Sequence, residues 1–177
     1  MRETLKGYGK YFLGLAILVY VILSIVLKNK SILDNLDLTI TITLILATIY
    51  SEWLWKYNPL EKTPKIYGEY KMTFISTYDN SKRTMNVKIK QNLFSNRIYM
   101  STKESRSESI SSSIITKKDN CELIYTYQNI PNATERNHSE IHFGTCTFSI
   151  IDNKIISGSY YTDRKTTGEI KNIKKIK

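Results

Sequence analysis

The sequence predicts a membrane-anchored all-β protein: two N-terminal transmembrane helices, then a small antiparallel β barrel of about eight strands. Three observations carry this. Residues 11–27 form an unbroken apolar stretch. A second, Thr-rich apolar stretch follows at 36–55. Beyond residue 66, short runs rich in Tyr, Ile, Thr and Phe alternate with polar turns and show no helical periodicity.

The first stretch, YFLGLAILVYVILSIVL, has seventeen residues and no charge. As a helix it spans about 25 Å, close to a hydrocarbon core of roughly 30 Å. Lys10 and Lys28 flank it and can snorkel outward. A cleavable signal peptide is the competing reading, but no small-residue cleavage site follows. In the second stretch, LDLTITITLILATIYSEWLW, Thr39, Thr41, Thr43 and Thr48 interrupt the apolar run. In a membrane helix such hydroxyls bond back to the helix or across to another one. Trp53, Trp55 and Tyr57 are expected as an interfacial aromatic belt.

Arg2, Lys6 and Lys10 precede the first helix, and Lys56, Lys62 and Lys65 follow the second. The loop between holds Lys28 and Lys30 against Asp34 and Asp37. The bias places both termini in the cytoplasm, in a multi-pass protein. The sequons NKS, NAT and NHS are then chance matches, since glycosylation needs a secretory lumen.

The organisation read from this is an anchor at 1–57, a linker at 58–66 carrying Pro59 and Pro64, and a cytoplasmic barrel at 67–177. The formal charge of +10 is uneven. Residues 1–55 hold five Lys/Arg and four Asp/Glu, leaving a net +9 on residues 56–177. A basic surface favours anionic partners: phosphates, nucleic acid or acidic lipid headgroups.

Alternation sets the expected inner faces. Gly68, Tyr70, Met72, Phe74, Ser76 and Tyr78 share one; Met85, Val87, Ile89 and Gln91 another; Cys121, Leu123, Tyr125 and Tyr127 a third. DNSKR, KKDN and DNK read as turns. In the last long run Ile156 sets the parity, which puts Gly158, Tyr160, Thr162, Arg164 and Thr166 inward. An inward Arg164 is costly unless paired. Glu104 or Glu108 could pair with it, an anionic ligand in the barrel mouth could, or a bulge could turn it outward. The serine-rich segment STKESRSESISSS, residues 101–113, reads either as a linker or as a strand. The alternation of Ser105, Ser107 and Ser109 with Arg106 and Glu108 fits a polar strand edge near the barrel opening.

Cys121 and Cys146 are too few for a disulfide framework or a four-ligand zinc site. His138, Glu140 and His142 give H-x-E-x-H, which lacks helical metal-ligand spacing. With no nucleophile–His–acid set and only seven Gly in all, the reading is not an enzyme, with no metal and no cofactor.

Three stretches, WLWKYNPLEKTPKIYGEY, TKESRSES and GSYYTDRKTTGEI, together with LIYTYQN and IHFGTCTF, resemble the membrane effectors of bacterial CBASS anti-phage systems. These are the SMODS-associated two-transmembrane, β-strand-rich effectors, and the resemblance spans the whole chain. It implies a cytoplasmic barrel that receives a cyclic dinucleotide made by a CD-NTase. Binding would drive homo-oligomerisation of the transmembrane helices, disruption of the bacterial inner membrane and abortive infection. The ligand carries two phosphates and two bases. It needs cationic and hydroxyl donors for the first and aromatic faces for the second. The expected ligand-binding residues are Arg164, Thr162, Ser105 and Ser107 at phosphate, and Tyr160, Tyr78 and Tyr125 at the bases. Partners are the cyclic dinucleotide, inner-membrane lipid and further copies of the chain, not a nucleic-acid polymer. The alternative is a membrane-tethered, lipocalin-like carrier of a lipid or other apolar ligand, which requires an apolar interior.

Overall fold

The computed structural model describes residues 2–28, 31–116 and 120–177, with the backbone alone for residues 2–7. Lys117, Lys118 and Asp119 of the KKDN turn, Asn29 and Lys30 of the NKS sequon, and the side chains of Arg2 and Lys6 lie outside the described residues. The chain groups into two compact units, Met1–Glu61 and Lys62–Lys177.

The first unit is a pair of helices, α1 (Arg2–Val26) and α2 (Ile32–Glu52). Tyr8–Val26 and Ile32–Glu52 are each long and apolar enough to cross a membrane. Large apolar side chains such as Leu13, Ile17, Leu44 and Ile45 are mostly exposed, as lipid-facing residues would be. Ser31 caps α2: its Oγ accepts from Asp34 N at 3.1 Å, and Asp34 favours the positive end of the helix dipole. Thr39, Thr41 and Thr48 donate to the carbonyls of Asn35, Asp37 and Leu44, so those hydroxyls are satisfied inside an apolar helix. The aromatic belt is only partly as expected. Trp53 and Tyr57 are exposed, but Trp55 lies in a 3-10 turn (Leu54–Tyr57) and is fully buried.

The second unit is a closed antiparallel barrel of eight strands among the described residues. They are β1 (Gly68–Ser76), β2 (Lys82–Gln91), β3 (Asn96–Ser101), β4 (Ser105–Thr116), β5 (Cys121–Pro131), β6 (His142–Ile151), β7 (Lys154–Thr162) and β8 (Thr167–Lys175). Each pairs with its sequence neighbour, and β8 returns to β1. Closure removes the open edges that would otherwise invite aggregation. Most of the alternating residues expected inside are inside: Tyr70, Met72, Met85, Val87, Ile89, Leu123, Tyr125 and Tyr127 belong to one buried cluster, which Phe148 of β6 joins. The β6–β7 hairpin turns on Asp152 and Asn153, both at positive φ (48° and 62°), as a two-residue primed turn needs.

One end of this barrel is plugged by its own chain. Ile66 is fully buried there. The Gln91 carboxamide donates to Pro64 O at 2.7 Å and accepts from the amides of Ile66 (2.9 Å) and Tyr67 (3.1 Å). A single buried side chain thus satisfies three backbone groups that no strand partners. Residues 62–66, expected as linker, therefore belong with the barrel, while 58–61 group with the helices.

Two expectations about the last run fail for identifiable reasons. The β6–β7 register slips between Ser149 and Ile150, which bulges Ile156 outward (51% exposed) and seats Ile155 in the core instead. Gly158, Tyr160 and Thr162 nevertheless point inward, because the bulge lies before them. The run is also not one strand. Residues 163–166 turn, with Lys165 at φ 60°, and separate β7 from β8.

The serine-rich segment forms β4, a twelve-residue strand with neighbours on both sides rather than a linker or a free edge. Its ladder to β3 covers only three residue pairs, Tyr99–Glu108 to Ser101–Arg106. Beyond it the hydroxyls take over. Ser109 Oγ accepts from Ile98 N at 2.9 Å, and Ser112 Oγ donates to Asn96 O at 2.6 Å. The serines thus replace backbone pairing where the strands diverge and a bulge at Ile110 breaks the register on the other side.

Candidate ligand-binding mouth

The end opposite the plug holds a cavity of about 350 Å³, within the range of small-ligand sites. Its wall includes a band of hydroxyl and amide groups from four strands and a turn: Ser76 on β1, Ser105 and Ser107 on β4, Asn129 on β5, Thr162 on β7 and Thr166 beyond it. Ser76, Asn129 and Thr162 are buried. Strand alternation points these residues inward, and the register between strands sets their level. Beneath lie Met85, Met100, Cys146 and Ile170, and the aromatic rings of Phe74, Tyr127 and Tyr160 line the sides.

Hydrogen bonds fix the band. Ser107 Oγ donates to Asn129 Oδ1 at 2.8 Å across β4 and β5. The hydroxyls of Thr162 and Thr166 lie 2.7 Å apart, and Thr162 N donates to Thr166 O at 2.9 Å. Thr102 Oγ1 accepts from the amides of Glu104 and Ser105, which sets the β3–β4 turn beside the opening. Phe74 and Tyr160 pack edge to face with ring centres 5.9 Å apart. Burial raises the Tyr160 hydroxyl above its ordinary range, with Ser76 and Arg83 acting in the opposite direction. The Cys146 thiol is pushed up to about 12 by burial, so it stays protonated and unreactive at neutral pH.

Two guanidinium groups reach this mouth. Arg83 on β2 is gripped by carboxylates: Nη2 lies 2.7 Å from Asp79 Oδ2, Nη1 donates to Asp79 Oδ1 at 3.0 Å, and Nε lies 3.3 Å from Glu104 Oε2. The Arg83 side chain holds the Asp79 carboxyl well below its usual range. Arg164 is different. It stands in the β7–β8 turn, exposed, and its Nη1 donates to Ser139 Oγ at 3.0 Å and lies 3.3 Å from His142 Nδ1. Among the described residues no carboxylate pairs with it. Asp163 braces the turn: Phe143 N donates to Asp163 Oδ2, and Asp163 N donates to Phe143 O, both at 3.0 Å.

Of the seven residues expected at the ligand, six line this one cavity: Arg164, Thr162, Tyr160, Ser105, Ser107 and Tyr78. Tyr78 lies past the end of β1 and is 73% exposed. Tyr125 does not reach the cavity. It is fully buried below it, with its hydroxyl donating to Met100 Sδ at 3.0 Å. Arg164 lines the mouth from a turn rather than from inside a strand, and neither Glu104 nor Glu108 pairs with it: these bind Arg83 and Arg97. Sequence reading missed Arg83, because the start of β2 lay in a segment assigned to a turn. It also missed Asn129, which alternation through β5 from Tyr127 could have placed.

The model of the Cap15 cyclic dinucleotide receptor domain matches residues 61–174. The chain belongs to the Cap15 family. Its receptor domain is thus the barrel itself, and the resemblance to CBASS effectors holds. CD-NTase-associated protein 15 of Staphylococcus schleiferi is 28% identical over 171 residues, covering 94% of this chain and 93% of that one. The similarity therefore runs through the helices as well as the barrel. No group of three or more His, Cys, Asp or Glu suited to a metal ion occurs among the described residues.

Proposed function

We propose that the chain is a membrane effector whose barrel mouth binds a cyclic dinucleotide, and that binding drives helix association and membrane disruption. The observation that carries this is the meeting of Arg164, which pairs with no carboxylate among the described residues, with a band of buried and half-buried hydroxyls and flanking aromatic rings at the open end of a Cap15 receptor domain. Hydroxyl and guanidinium donors suit phosphate oxygens, and Tyr78, Tyr160 and Phe74 offer faces or edges to bases. A cavity of about 350 Å³ would hold part of such a ligand and leave the rest under the loop that carries Glu135, His138 and Ser139. The site binds and does no chemistry in this reading. The helices would be a multi-pass anchor in the bacterial inner membrane, with both termini cytoplasmic.

The carrier alternative would use the apolar floor of Met85, Met100, Cys146 and Ile170, but it gives no role to Arg164 or to the hydroxyl and amide band above that floor. The test uses the full chain reconstituted in dye-loaded vesicles of bacterial phospholipid, with cyclic di-AMP, cyclic di-GMP or cyclic GMP–AMP added outside and inside. Saturable binding of one of these, followed by dye release, supports the proposal. Binding of fatty acid but of no cyclic dinucleotide overturns it.

A further inference from the structure

On α2, Asn35, Thr39 and Thr43 recur every fourth residue and therefore form one stripe about 12 Å long. The stripe faces the interior of the helix pair. Asn35 and Thr39 are buried, whereas Leu33, Leu36, Ile40 and Leu44 around the rest of the helix are exposed. On α1 the buried residue among those described is the apolar Val19. The consequence is unusual for a hairpin read as membrane-embedded: Asn35 Oδ1 and Thr43 Oγ1 are buried with no hydrogen-bond partner among the described residues. Asn35 is only 6% exposed, so water does not compensate it. Thr39, by contrast, is satisfied by Asn35 O at 2.7 Å.

We propose that in the active assembly α1 moves off this stripe and α2 of one copy meets α2 of another through it. The inference rests on the reading that ligand binding drives helix association. A carboxamide carries both a donor and an acceptor, and so does a hydroxyl, so a second copy of the same stripe supplies what α1 lacks. Like surfaces that meet about a symmetry axis satisfy each other reciprocally. In a bilayer no water competes for these groups, which makes interhelical pairing of Asn and Thr their natural resolution. The resting hairpin thus keeps its polar groups unpaired, and association releases that cost.

The test compares the wild type with N35L/T43V in the full chain, in vesicles, with cyclic di-AMP, cyclic di-GMP or cyclic GMP–AMP. Disulfide trapping through Thr39→Cys reports whether two α2 helices meet. In the wild type, ligand is expected to give dye release. The Thr39→Cys chain is expected to give a cross-linked dimer. In N35L/T43V, ligand affinity is expected to be unchanged while release and cross-linking fall at least tenfold, and Asn35→Gln is expected to retain both. Normal release and cross-linking by N35L/T43V would overturn this inference alone. Ligand binding by the wild type without release or cross-linking would overturn the membrane reading, and this inference with it.

Discussion

Tyr160 lies directly over Gly168, its partner across β7 and β8, and a methyl group at position 168 would sit 2.4 Å from the ring and 2.6 Å from Ile75 O. The glycine is therefore the seat of an aromatic ring at the cavity wall. Gly168→Ala cannot be absorbed by moving the ring alone, because the backbone oxygen is as close. The substitution is expected to cost about 1–3 kcal/mol of stability by overpacking and to weaken ligand binding through the displaced ring. Denaturant unfolding together with a ligand titration measures both.

The plug gives a second expectation. Gln91→Leu keeps the volume but leaves Pro64 O and the amides of Ile66 and Tyr67 without their partner. Each buried unpaired group costs about 1–3 kcal/mol, so the loss should be several kcal/mol. Hydrogen exchange should show the Ile66 amide losing its protection. An unchanged midpoint would mean that water or another group takes over the role.

Much of this architecture was legible in the sequence, and the limits have physical reasons. Uniform alternation exposed the inner faces of β1, β2 and β5, because a closed barrel buries one face of every strand. Bulges and short turns leave no mark in that pattern, so parity counts Ile156 inward and runs straight through the turn at 163–166. Hydroxyl and Arg content near strand ends points to residues that line one cavity. Arg83 escaped, because a cation bound by Asp79 within four residues looks like turn chemistry. Tyr125 was misplaced by depth: parity fixes the side of the sheet, not the level along the barrel axis.

The serines of β4 provide a third expectation. Ser109→Ala and Ser112→Ala each remove a hydroxyl that stands in for a ladder bond between β3 and β4. Each should cost about 1 kcal/mol, with faster exchange at the Ile98 amide in Ser109→Ala. Ser111→Ala, on an exposed side chain, should be near neutral.

Alkaline stability follows from buried acids. Burial pushes the Cys146 thiol and the Tyr70 hydroxyl each up to about 12. In the unfolded chain they ionise near 8.5 and 10. Between the two values only the unfolded state releases its proton. The stability they contribute is thus full below about pH 8.5 and is lost as pH rises toward 12. The unfolding midpoint should fall steadily above pH 9, and Cys146→Val should flatten the first part of the decline.

The most direct test of the account is calorimetry of the full chain in detergent with cyclic di-AMP, cyclic di-GMP and cyclic GMP–AMP, comparing Arg164→Ala and Arg83→Ala with Tyr161→Ala on the outer wall. One ligand should bind each barrel. Arg164→Ala should weaken it about 10- to 100-fold, as loss of a charge-assisted hydrogen bond does, and Arg83→Ala less, since carboxylates already hold that cation. Tyr161→Ala should leave affinity unchanged. Full affinity in both arginine variants would place the ligand elsewhere and contradict the assignment of the mouth.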